Sequence, residues 1–153
     1  MAEYDQRILR VAATNGTVAE TLDSPAVPEA LGKALAAVLR ANDPDVVAFW
    51  SSADTAVLAH VVARELGAEL LPVAEDQGRI LVSRPIGATA RVAVIDIDWT
   101  DNLGLAPLTR ALGGPTVVVA AGSILRPVTP VDEGAEPTLH VLEPAGDSAD
   151  AAR

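Results

Sequence analysis

Arg91-Val-Ala-Val-Ile-Asp-Ile-Asp-Trp-Thr-Asp-Asn-Leu-Gly-Leu105 joins an unbroken apolar run to an acidic turn and the start of a helix. Residues 91–95 form a Val- and Ile-rich run of strand length with no polar alternation, as expected of a strand buried on both faces. The run passes into acids and turn formers and then into a helix from about Leu105. In an open α/β sheet such a strand–loop–helix corner lies at the carboxyl edge, where ligands bind. Asp96 and Asp98 alternate along the strand end, so their side chains start towards opposite faces. Thr100-Asp-Asn102 is a turn composition that a simple Asx-turn accounts for. Its place at a carboxyl edge also makes it a candidate for ligand contact.

Working outward, the chain alternates apolar strands with amphipathic helices. Residues 7–21 hold two short β-like runs around Asn15-Gly16 and read as a small hairpin or irregular cap. Asp23-Ser24-Pro25 announces a helix by a capping side chain and a first-turn proline. Leu31, Leu35, Val38 and Leu39 share its apolar face, and Asn42-Asp-Pro44 ends it. Asp45-Val-Val-Ala-Phe-Trp50 is the first buried strand. Its loop is Ser51-Ser-Ala-Asp54, in which Asp54 or Ser52 can cap the next helix. That helix carries Val57, Leu58, Val61, Val62 and Leu66 as its buried stripe and Gly67 past its end.

Residues 69–83 read as a hairpin turning at Asp76-Gln-Gly78, and the helix from Leu105 to about Leu112 ends at Gly113-Gly114. Strands are expected at Pro115–Ala121 and Thr138–Leu142, with an exposed loop between them and a frayed tail at 145–153. The expectation is one domain over residues 1–144: an α/β fold with a mostly parallel central sheet flanked by helices and a small N-terminal cap.

Composition narrows the function. The formal net charge is −10, which disfavours nucleic acid, because affinity for phosphate backbones rests on Lys and Arg. The chain has 1 Lys and no Cys, so disulfides and thiolate chemistry are excluded. His60 and His140 have no metal-ligand partner at helical spacing and read as structural, so no metal site is expected. No apolar run approaches a membrane span and no apolar signal region opens the chain. A cytoplasmic protein is the expectation.

In layout the chain resembles the type I phosphoribosyltransferases, above all the adenine-type branch, over roughly residues 7–142. Asp45-Val-Val-Ala-Phe-Trp50 with Val62-Ala-Arg-Glu-Leu-Gly-Ala68 is similar to that family's first strand, pyrophosphate loop and following helix. Arg91-Val-Ala-Val-Ile-Asp96 is similar to the strand leading into its phosphoribosyl-pyrophosphate motif. The resemblance implies two adjacent carboxylates that grip ribose hydroxyls, directly or through magnesium. It also implies a Thr/Gly-rich loop whose N–H groups cradle the 5′-phosphate.

This chain departs from the family in three separate elements: the phosphoribosyl-pyrophosphate motif, the pyrophosphate loop and the covering loop. Asp96 takes the first acid position and Ile97 the second. The loop falls on Thr100, Asp101, Asn102, Leu103 and Gly104, and among these Thr100 keeps the expected chemistry. Asp101 beside a phosphate is unfavourable, since like charges ~4 Å apart repel by about 4 kcal/mol at an effective dielectric of ~20. The pyrophosphate loop, Ser51-Ser-Ala-Asp54, has neither glycine nor a basic residue. The long water-excluding loop of the family is replaced by Glu75-Asp-Gln-Gly78.

The sequence therefore points to a phosphoribosyltransferase-like protein with a degenerate site, acting as a small-molecule-binding or protein-interaction module. The open alternative is an active, divergent phosphoribosyltransferase moving phosphoribose to a nitrogenous base, with magnesium as its only cofactor. Candidate ligand-binding residues are Asp96, Thr100, Asp101, Asn102, Leu103, Gly104, Ser51, Ser52, Trp50 and Trp99. Trp50 and Trp99 end neighbouring strands, either as packing residues or as the walls of a pocket rimmed by Asp54, Asp98 and Asp101. Aromatic faces beside carboxylates suit a neutral or cationic ligand. A homodimer is the expected assembly.

Overall fold

The computed structural model describes residues 24–99, 103–127 and 137–142. The cap expected at 7–21 and the tail at 145–153 lie outside them. A six-stranded sheet runs in the order β3-β2-β1-β4-β5-β6. Its strands are β1 (Val46–Trp50), β2 (Glu69–Asp76), β3 (Arg79–Val82), β4 (Val92–Asp96), β5 (Val118–Ser123) and β6 (Leu139–Val141). All neighbours pair in parallel except β2 and β3, which form an antiparallel hairpin. The α/β expectation, the hairpin and the two strand–helix–strand units are therefore present.

The helices are α1 (Ala26–Leu39), α2 (Ala53–Leu66) and α3 (Leu105–Ala111). Leu31, Leu35 and Leu39 of α1 and Leu58 and Val62 of α2 pack with Val47, Phe49, Ala93 and Ile95 on one face of the sheet. Leu105 and Leu108 of α3 pack with Ala48, Trp50, Val92 and Val94 on the other. Odd and even strand residues thus feed opposite layers, the period-two alternation of a strand covered on both sides. All five residues of β4 are buried, which is why that run carries no alternation in sequence. α1 and α2 pack closely: a Cβ at Gly32 would stand 2.5 Å from Val61 Cγ1.

Several local expectations need correction. Ser24 does not cap α1 through its side chain; Pro25 is the N-cap residue, and the chain enters the helix through the bond from Val27 N–H to the Ser24 carbonyl. Ser52 rather than Asp54 caps α2, accepting from the Thr55 N–H. Val38 and Val57 are each more than a third exposed, because each helix buries a narrower stripe than its apolar residues span. β4 begins one residue late, since Arg91 turns outward and its N–H donates to Asp45 Oδ1. β5 begins at Val118 because the N–H groups of Val117 and Val118 both close back on the Gly114 carbonyl in a turn.

Among the described residues no helix is long and apolar enough to cross a membrane.

Candidate functional site

The chain leaves β1 through α2 towards β2 on one side, and leaves β4 through α3 towards β5 on the other. The gap between the carboxyl ends of β1 and β4 is thus the topological switch point of the sheet, where ligands of open α/β folds bind. The ladder between these strands runs Val46↔Val92, Val47↔Ala93 and Ala48↔Val94 and then stops. Both strands continue two residues further, to Trp50 and Asp96. The resulting crevice has Trp50 and Asp96 at its root.

Trp50 is 1 % exposed. Its indole N–H donates to the Gly104 carbonyl at 2.9 Å, tying the end of β1 to the start of α3. Gly104 sits at φ 80°, ψ −165°, a region open essentially to glycine alone. Trp99 lies in the same apolar layer, 7 % exposed, and holds a left-handed φ of 58°. For a bulky L-residue that conformation costs about 1–2 kcal/mol. Burying ~150–250 Å² of indole contributes about 4–6 kcal/mol at ~25 cal/mol/Å², so burial wins. The Trp99 indole N–H has no hydrogen-bond partner among the described residues.

Asp96 is 5 % exposed. Its Oδ1 accepts from the Ile97 N–H at 2.7 Å and from Thr55 Oγ1 at 3.4 Å. Thr55 in turn accepts from Ser52 Oγ at 3.0 Å. Ser51 is exposed, and its N–H donates to the Val73 carbonyl. Ile97, at the second acid position of the resemblance, is 5 % exposed and packs into the α1–α2 layer.

The structure thus places Trp50, Ser51, Ser52, Asp96, Trp99 and Gly104 at the carboxyl ends of β1 and β4 and the entry to α3, with Leu103 beside them, 44 % exposed. Thr100, Asp101 and Asn102 lie outside the described residues. The tryptophans reach the crevice as buried packing side chains. Thr55 is the residue that reading the sequence missed. Its one signal was the Ser52-x-x-Thr55 spacing, a cap residue followed by a hydroxyl at the third helical position.

The electrostatics of the two sheet edges differ. Arg40 donates to the Glu65 carbonyl, Arg64 to Glu29 and Glu65, and Arg84 to the Leu70 carbonyl and Glu69. Arg91 donates to the Asn42 and Asp43 carbonyls. All four stand at the amino edge. At the carboxyl edge the described acids are Asp54, Glu75, Asp76, Asp96 and Asp98, against Arg79 and Arg126. The β2–β3 hairpin turns through Gln77 and Gly78 alone, both at positive φ, and Glu75 accepts the Gly78 N–H across the turn. That geometry is a tight hairpin turn.

No family model matches this sequence and no curated protein matches it. Its backbone does match solved structures. An adenine phosphoribosyltransferase superposes with a TM-score of 0.60 at 13 % identity, covering 80 % of this chain and 83 % of that one. The adenine phosphoribosyltransferase of Thermoanaerobacter pseudethanolicus gives 0.53 at 18 % identity, covering 68 % and 70 %. The xanthine-guanine-hypoxanthine phosphoribosyltransferase of Helicobacter pylori gives 0.51 at 10 %, covering 80 % and 92 %. At these identities the likeness is one of backbone path: this chain has the type I phosphoribosyltransferase fold.

Proposed function

We propose that this protein keeps the phosphoribosyltransferase fold without phosphoribosyl transfer, and that the β1–β4 crevice serves as a binding module for a small neutral or cationic molecule. The observation that carries this is the pair Asp96–Ile97. The grip that the resemblance implies needs two adjacent carboxylates, and the second position holds an isoleucine packed in the core. The remaining carboxylate has its Oδ1 engaged by the Ile97 N–H and the Thr55 hydroxyl. The acid-rich carboxyl edge and the two-residue hairpin turn support the same reading, since a polyanion gains little there and the β2–β3 turn supplies no long loop to cover it. Asp96 alone fits poorly as the holder of a magnesium-bound phosphoribosyl group.

The test is pyrophosphate release from phosphoribosyl pyrophosphate and magnesium with a panel of purine and pyrimidine bases. No release above the enzyme-free rate is expected. Release that disappears in Asp96→Asn, a variant that keeps an oxygen acceptor for Ile97 and Thr55, would establish an active, divergent transferase instead.

A further inference from the structure

Two side-chain clasps span the crevice beyond the point where the β1–β4 ladder ends. Towards α3, the Trp50 indole bonds the Gly104 carbonyl at 2.9 Å across 54 residues of sequence. Towards α2, Ser52 bonds Thr55 at 3.0 Å, and Thr55 bonds Asp96 at 3.4 Å across 41 residues. Each clasp joins the end of β1, or the segment that follows it, to the end of β4 or the segment that follows it. α2 and α3 lie on opposite faces of the sheet, so the two strand ends are held from both sides. Trp50 is 1 % and Thr55 4 % exposed, which places both behind the surface that a ligand from solution meets.

We propose that Trp50 and Thr55 are positioning residues of the crevice, coupling its two walls so that they open and close as one unit. The strand ends have no backbone ladder between them at this level; each pairs only with its outer neighbour, Trp50 opposite Val73 and Asp96 opposite Ser123, and the two clasps are side-chain bonds that bridge them. The Thr55–Asp96 bond, at 3.4 Å, is already longer than the usual O–H···O range of about 2.5–3.0 Å, so a small widening releases it. Loss of the Trp50 bond lets the ends part and releases it. Because coupling is a free energy shared by two sites, release must work equally in the other direction. A molecule held against one wall is then felt at the other. This inference rests on the crevice being a binding site, yet its test needs no ligand. A protein that binds nothing would fail the binding reading and leave the coupling result intact.

The experiment is hydrogen exchange by NMR on the full chain, comparing Trp50→Phe, Thr55→Val and Thr55→Ser with wild type. Trp50→Phe is expected to speed exchange of the Thr55 and Ile97 amides about tenfold. These amides bond to Ser52 Oγ and Asp96 Oδ1, and Val94 in the β4 ladder should hold its rate. Thr55→Val is expected to speed the Trp50 indole N–H by a similar factor, and Thr55→Ser, which keeps the hydroxyl, to restore it. Unchanged Thr55 and Ile97 amides in Trp50→Phe would overturn the proposal. So would equal acceleration of Val94, which would mean lowered global stability alone. Should Trp50→Phe fail to fold, the two Thr55 variants decide by the Trp50 indole rate.

Discussion

The two tryptophans occupy one apolar layer, yet their indole nitrogens are in opposite situations, and that difference is measurable. Trp50 donates to the Gly104 carbonyl. Trp50→Phe keeps a ring but strands a part-buried acceptor, and leaving such a group unsatisfied costs about 1–3 kcal/mol. The Trp99 indole N–H is buried with no hydrogen-bond partner among the described residues. Trp99→Phe removes that unsatisfied donor while keeping most of the apolar volume, so its expected effect is under about 1.5 kcal/mol. Urea denaturation at constant m should place the midpoint of Trp50→Phe clearly below wild type and that of Trp99→Phe close to it. Equal losses would mean that ring volume, and not the polar atom, sets stability in this layer.

Between elements, α1 and α2 are joined by close packing at Gly32 and by charge at their exposed rims. Arg64 of α2 bonds Glu29 of α1 at 2.6 Å, and Lys33 lies 3.3 Å from the same carboxylate. The Arg64 hydrogen bond, aided by Lys33, holds the Glu29 carboxyl below its ordinary value of 4.5. A lowered folded pKa stabilises the fold above the unfolded value, and that contribution is lost as pH falls through the folded one. Glu29→Gln should therefore be slightly less stable than wild type at pH 7. The gap should close as the pH drops below 4.5, and it should shrink in high salt, as for any exposed pair. Denaturation curves across pH check this; a gap that widens in acid would contradict the assignment.

How much of the elements could be read in advance follows from their physics. β4 was legible because helices on both faces demand an unbroken apolar run. The hairpin was legible because Gly78 and its flanking strands are local in sequence. The start of β5 was not, since Gly114 recruits the following residues into a turn despite their β-prone side chains. Thr55 and the Trp50–Gly104 bond were invisible because their partners lie 41 and 54 residues away, a pairing that only the sheet order creates. The pair Asp96–Ile97, by contrast, was readable as soon as the strand was placed.

At the scale of the molecule, the fold sets a switch point between β1 and β4 and distributes charge unevenly between the two sheet edges. The arginines with described partners at the amino edge are engaged with helix and strand ends there, while acids predominate at the carboxyl edge. A phosphorylated sugar entering the crevice meets a buried carboxylate at the root and further acids at the rim. A neutral or cationic molecule meets the same groups without repulsion. The proposed loss of phosphoribosyl transfer is therefore tested by titrating the full chain with phosphoribosyl pyrophosphate and magnesium in a calorimeter. No binding in the micromolar range is expected. Clear micromolar affinity, weakened in Asp96→Asn, would contradict it.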